Sequence, residues 1–223
     1  MLLRSVLAAA LITGALFAAP MADAATPGSI QVPGSKLESA LPSSAYFGHG
    51  AMILNPYNTG GTLVHYPAIA KAAKTVCETT LILTYIDAGW GQTAIASETA
   101  QHTLGTYTVQ IGQFANARTA SAVFDAQRAK AASCRSYSLP PLPGSTRHVW
   151  QSVTGTRVGG HPAFIVKQQS SYSNVPGVTV PGYVLVTVDG SDLFTEEISG
   201  TPEAQPSGSA ITLYMIGKVS ALR

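Results

Sequence analysis

The chain has 223 residues, 11% of them charged, with a formal net charge of +2. That is less than half the usual charged share of about a quarter, neither sign dominates, and no basic stripe marks a nucleic-acid binder. The densest basic stretch, "QRAKAASCR", spaces its charges with alanines, as a solvated helix face does.

The N-terminus sets one positive charge, Arg4, before an apolar run from Val6 to Ala19 and an Ala22-Asp23-Ala24 site. This is the layout of a secretory signal peptide over residues 1–24. A membrane anchor needs about 20 apolar residues, and this run is shorter and broken by Gly14 and Pro20. No cysteine follows it to carry a lipid, and no later stretch is apolar for long enough to span a bilayer. The expectation is a secreted, extracellular monomer without a membrane span.

Residues 25–35, with two prolines and two glycines in "TPGSIQVPG", read as a flexible leader to a single domain over 36–223. "KLESAL" predicts a short helix ending at Pro42, whose ring disfavours helix just before it. "FGHGAMILNPYNTGG" reads as a loop with at most one short strand. Pro67 to Asp87 reads mostly as helix, with a β-branched strand-like stretch at its end. "QTAIAS" and "TYTVQIGQF" alternate with period two and predict an antiparallel hairpin around Leu104-Gly105.

In "QFANARTASAVFDAQRAKAASC" Asn116 is placed to cap a helix, with Phe114, Ala117, Ala120, Ser121 and Phe124 as its apolar face. "LPPLPG" reads as a rigid connector. "RHVWQSVTGTRV", "PAFIVKQQSS" and "YVLVTVDGSDLFTEEIS" alternate apolar and polar residues, and with a tight turn at Asp189-Gly190 they predict a meander of about four strands. The end predicts a helix capped by Ser207 or Ser209, with Ile211, Met215, Val219 and Leu222 on one side. The sum is an α+β fold, an antiparallel sheet of about five to seven strands packed with helices.

Cys77 and Cys134 are the only cysteines. In an exported chain one disulfide is the economical arrangement, and two free thiols are the other. Closing that loop would remove denatured-state entropy worth roughly 4 kcal/mol.

Chemistry is sparse. His49, His65, His102, His148 and His161 fall into no metal-ligand spacing, no G-x-S-x-G elbow occurs, and Glu196-Glu197 would point to opposite faces of a strand. No catalytic residue, metal or cofactor is expected. Trp90, Trp150, Tyr183 and Phe194, with Tyr46 and Phe47, either line a ligand cleft or form core. The partner expected is a small molecule or cell-envelope ligand. Two alternatives stand: a secreted hydrolase with a dispersed Ser/His/acid site, and an extracellular interaction or inhibitor protein presenting the "NVPGVTVPG" loop, Asn174 to Gly182.

The succession from Cys77 to Gly89-Trp90, a polar hairpin, "FANARTASAVF" from Phe114 to Phe124, Cys134, a meander with "VDGSDLF" and a last helix resembles the PknH-like extracellular sensor domain. That domain occurs outside a mycobacterial Ser/Thr protein kinase and in exported actinobacterial proteins. The resemblance implies a sheet with helices, a deep cleft for an unidentified ligand, and Cys77 and Cys134 as a bridging pair. A second disulfide of the kinase's sensor has no counterpart here. The reading is a non-enzymatic, ligand-binding or sensor-like module.

Overall fold

Alternating apolar and polar residues dominate the second half, and the chain folds accordingly around one antiparallel sheet. The computed structural model describes residues 30–54, 57–58, 77, 92–103, 105–142, 145–200 and 210–223. In chain order come α1 (Gly34–Leu37), running on as a 3-10 turn, β1 (Met52–Ile53), β2 (Tyr57–Asn58), β3 (Ala94–His102) and β4 (Gly105–Gln113). Then follow α2 (Ala117–Ser133), β5 (Ser136–Leu142), β6 (Ser145–Val158), β7 (His161–Tyr172), β8 (Val175–Asp189), β9 (Asp192–Gly200) and α3 (Ala210–Ala221). Among the described residues no helix is long and apolar enough to cross a membrane.

Eight strands cross the sheet in the order β1-β3-β4-β9-β8-β7-β6-β5, and the two-residue β2 also pairs with β3. The α+β class is as expected, with more strands than five to seven. The β3–β4 hairpin and the four-strand meander β6 to β9 form as predicted, and β9 closes the meander onto β4. Gly190 supplies the positive φ, +55°, of the β8–β9 turn. At the other end of β9, a Cβ on Gly105 would clash with the Ser199 carbonyl oxygen, so only glycine lets β4 and β9 approach there.

Leu193 and Phe194, adjacent on β9, point to opposite faces and belong to two cores. Under α1 and α3 lie Leu37, Val109, Ile111, Phe194, Ile198, Ile211, Met215 and Val219. Under α2 lie Phe114, Phe124, Phe164, Val166, Val184, Val186 and Leu193. The apolar side foreseen for α3 is the side that packs, with Leu222 against it. Asn116 caps α2 by accepting from the Thr119 N–H at 2.9 Å. The packed face of α2, however, is Ala120, Val123, Phe124 and Ala131, while Ala117 and Ser121 are exposed.

Four expectations need correction. "LPPLPG" contributes to β5, tolerated because β5 is the last strand of the sheet and its pairing with β6 is irregular between Leu139 and Leu142, where Pro140 and Pro141 lie. Asn174 to Gly182 is no free loop, since β8 begins at Val175 and pairs with β7. Two short strands, not one, form between Phe47 and Gly61. The end of the expected leader is docked: Val32 is buried, its N–H donates to Gln113 Oε1 at 3.0 Å, and the Gln31 amide donates to the Phe114 carbonyl at 2.9 Å. The Pro67 to Asp87 helix and the Ser207 or Ser209 cap lie outside the described residues apart from Cys77.

Gln113 is also the centre of a buried strut. Its amide faces Asp192 Oδ1 at 3.3 Å, and Asp192 pairs with Arg223, so the C-terminal residue, the β8–β9 turn and the segment before α1 are tied together. Burial pushes the Asp192 carboxyl up, against the opposing pull of Arg223 and Gln113.

Glu98 is less well served. It is buried on the α1 side of β3, and its Oε1 has no hydrogen-bond partner. Burial first, and the Glu38 carboxylate second, push its carboxyl up from 4.5 to about 7. Between those values the folded chain holds a proton that the unfolded chain has released, so stability falls as pH rises through the window. Glu98→Gln, permanently neutral, is expected to melt above wild type at pH values over 7, and to match it below 4.5. Parallel melting profiles across that range would refute this.

Candidate functional site

Each helix covers one end of one face of the sheet. On β6, Val149, Gln151 and Val153 point to the α2 side, so Trp150, Ser152, Thr154 and Thr156 point the other way, to the face where Leu213 of α3 reaches Gly159 at the β6–β7 turn and Val158, Ala163 and Leu185 are buried. Lys167 and Gln169 on β7, with Pro181 and Tyr183 on β8, lie on the open part of that face. Trp150, Ser152, Lys167, Gln169, Pro181 and Tyr183, with Gln151 and Gln168, line an open groove of about 390 Å³.

The ladder fixes its plan. Trp150 pairs with Gln169, which pairs with Pro181; in the next row Ser152 pairs with Lys167, which pairs with Tyr183. Trp150 and Tyr183 therefore sit diagonally, about 10 Å apart across two strand spacings and about 7 Å along the strands, with Lys167 and Gln169 between them. Trp150 is 43% exposed.

Its indole is nevertheless oriented. The His148 ring stands edge-on to it, with centroids 4.3 Å apart and planes at 74°. His148 is held in turn from β5, with Ser136 Oγ 3.1 Å from its Nε2 and Ser138 Oγ 2.8 Å from its Nδ1. A serine this close to a histidine is the first half of a nucleophilic triad, but a triad commits the other ring nitrogen to a carboxylate. Here that nitrogen faces a second serine.

Behind the groove, Gln151 locks β6 to α2. Its amide donates to the Ala131 carbonyl at 2.8 Å, and its Oε1 accepts from the Gln168 amide at 3.0 Å and the Tyr137 hydroxyl at 3.3 Å. Burial raises the Tyr137 hydroxyl well above its ordinary range, so it stays a donor. Next to this knot Cys134 ends α2 and is bonded to Cys77, their Cα atoms 5.4 Å apart. A second cavity of about 290 Å³ opens here, lined by Ala131, Arg135, Gln151 and Val153.

Of the aromatic residues singled out in the sequence, Trp150 and Tyr183 meet at the groove. Phe194 does not line it: 1% exposed, it is core under α3, because β9 is covered on both faces. Phe47 is core as well, and Tyr46 stacks on Tyr214 of α3 with centroids 4.5 Å apart. Trp90 lies outside the described residues. Ser152, Lys167, Gln169 and Pro181 were missed, though their phase was readable: in "WQSVTGT" Trp150 alternates with Ser152, Thr154 and Thr156, the polar set.

The remaining histidines are dispersed. His102 contacts the His49 carbonyl, His161 pairs with Asp189 across the hairpin ends at 3.2 Å, and His65 lies outside the described residues. Among the described residues no three His, Cys, Asp or Glu side chains converge on a metal site.

The fold has a solved counterpart. The crystal structure of the extracellular domain of PknH from Mycobacterium tuberculosis matches with a TM-score of 0.59, covering 85% of this chain and 97% of that one. At 16% identity the likeness is one of fold. Neither a protein-family model nor a curated protein sequence matches.

Two sets of substitutions separate groove from core. Trp150→Ala is expected to change unfolding free energy by no more than about 0.5 kcal/mol, as exposed positions do, whereas Phe194→Ala costs about 3 to 5 kcal/mol. Gln151→Leu takes the acceptor from the Gln168 amide and the Tyr137 hydroxyl, while the Ala131 carbonyl keeps the Cys134 N–H, and should cost about 1 to 3 kcal/mol in denaturant unfolding. A Trp150→Ala loss as large as that of Phe194→Ala would contradict the assignment of the groove.

Proposed function

We propose that the protein is a secreted, non-enzymatic, sensor-like module that binds an extracellular ligand in the groove of β6, β7 and β8. The observation that carries this is an indole left in water yet held in one orientation by His148 and two serines, beside polar side chains that converge on the same space. Groups ordered on a rigid sheet without a packing role are pre-organised for a ligand, because binding then costs little further ordering.

The setting supports the reading. Residues 1–24 have the layout of a secretory signal, the Cys77–Cys134 disulfide suits an oxidising compartment, and the fold is shared with a domain described as extracellular. The hydrolase alternative has its best footing in the Ser138–His148 contact, where Ser136 occupies the place of the acid.

The test is a titration of isotopically labelled protein with extracellular metabolites and cell-envelope extracts, followed by NMR. Binding components are expected to shift the Trp150 indole and the Lys167 and Tyr183 resonances, and to raise the melting temperature. Binding confined to other surfaces, or none with any fraction, would overturn the proposal.

A further inference from the structure

We infer that the ligand class of this groove is an oligosaccharide bearing an acidic group, stacked on Trp150 and Tyr183 with its anion at Lys167; the inference rests on the reading of the groove as a ligand site.

The side chains decide between ligand classes. Two aromatic rings, about 10 Å apart across the strands, offer two apolar platforms rather than one enclosed pocket. That suits a chain of rings with apolar C–H faces better than a single compact metabolite. Between the platforms stand Gln169, whose amide both donates and accepts, and Ser152, whose hydroxyl does the same, as recognition of sugar hydroxyls requires.

Lys167 adds the charge. It lies on the central strand of the groove, exposed, and among the described residues no carboxylate forms a salt bridge with it. Among the described residues the groove lining carries this cation and no carboxylate. An anionic substituent on the ligand would complete the pair, and a groove of low charge otherwise sets no repulsion against it.

Other chemistries fit less well. A nucleic-acid strand would call for several cations along its phosphates. An acyl chain would call for an enclosed apolar channel, whereas this groove is open and lined by serine, glutamine and lysine. An extended peptide recognised by strand addition would use the backbone of an edge strand, and β6, β7 and β8 are all paired on both sides.

The experiment compares hyaluronan and galacturonan oligosaccharides with uncharged cello-oligosaccharides by calorimetry and by NMR on the full mature chain, wild type and two variants. Acidic oligosaccharides are expected to bind and to shift the Trp150 indole, and Trp150→Ala to weaken them by roughly tenfold or more, the scale of one lost aromatic contact. Lys167→Gln should reduce acidic binding to the neutral level, with melting temperatures of both variants unchanged. Equal affinity for acidic and neutral chains, insensitive to Lys167→Gln, would overturn the acidic requirement. Failure of every oligosaccharide while peptides or other metabolites move the same groove resonances would overturn the saccharide class and leave the groove a ligand site. Groove resonances unmoved by any of these, with binding elsewhere, would overturn both.

Discussion

A sheet with apolar side chains on both faces must be covered on both, and this chain assigns one long helix to each. Helix α2 lies over β6 to β9 on one face, and α3 with α1 lies over β3, β4 and β9 on the other. β9 is covered on both faces, so Leu193 and Phe194 are both buried although they point in opposite directions, and so are Tyr107 to Gln113 of β4 and Val184 to Val188 of β8. The arrangement leaves β6, β7 and β8 open on the α3 side around Trp150, Lys167 and Tyr183, whereas Val158, Ala163 and Leu185 farther along the same face are buried. That surface holds the groove, and its side chains turn polar in step with their exposure.

Holding α2 on the correct half of the sheet is then the main structural requirement. Asn116 fixes where the helix starts, Phe124 and Phe164 meet with centroids 5.1 Å apart, and the far end is fastened twice, by Gln151 to the Ala131 carbonyl and by Cys134 to Cys77. Gln151 and its neighbour Trp150 occupy opposite faces of β6. Whatever fastens the helix on one side therefore also sets the backbone that presents the indole on the other.

Local rules account for what was legible in advance. Asn116 reads as a cap because one side-chain oxygen and one N–H suffice, and the meander reads as strands because its alternation is strict. Reading failed where the deciding contact is distant. Pro140 and Pro141 look incompatible with a strand until β5 is known to be an edge, and Pro176, Gly177 and Pro181 likewise disguise the first half of β8. The packed face of α2 was misjudged because so many of its residues are alanine or serine, which give the apolar stripe little contrast. Phe194 was misplaced because β9 is buried on both faces, and alternation carries no signal there.

Function follows from the bare face more than from any motif, and its exposure can be measured directly. Hydroxyl-radical footprinting of the free, disulfide-bonded protein reads solvent access residue by residue. Trp150 and Tyr183 are expected to label readily, Phe194 and Phe164 to be protected, with Trp150 near its 43% exposure and Phe194 and Phe164 near 1% and 2%. Protection of Trp150 to the level of Phe194 would mean that this face is covered in solution, and would contradict the account at its base.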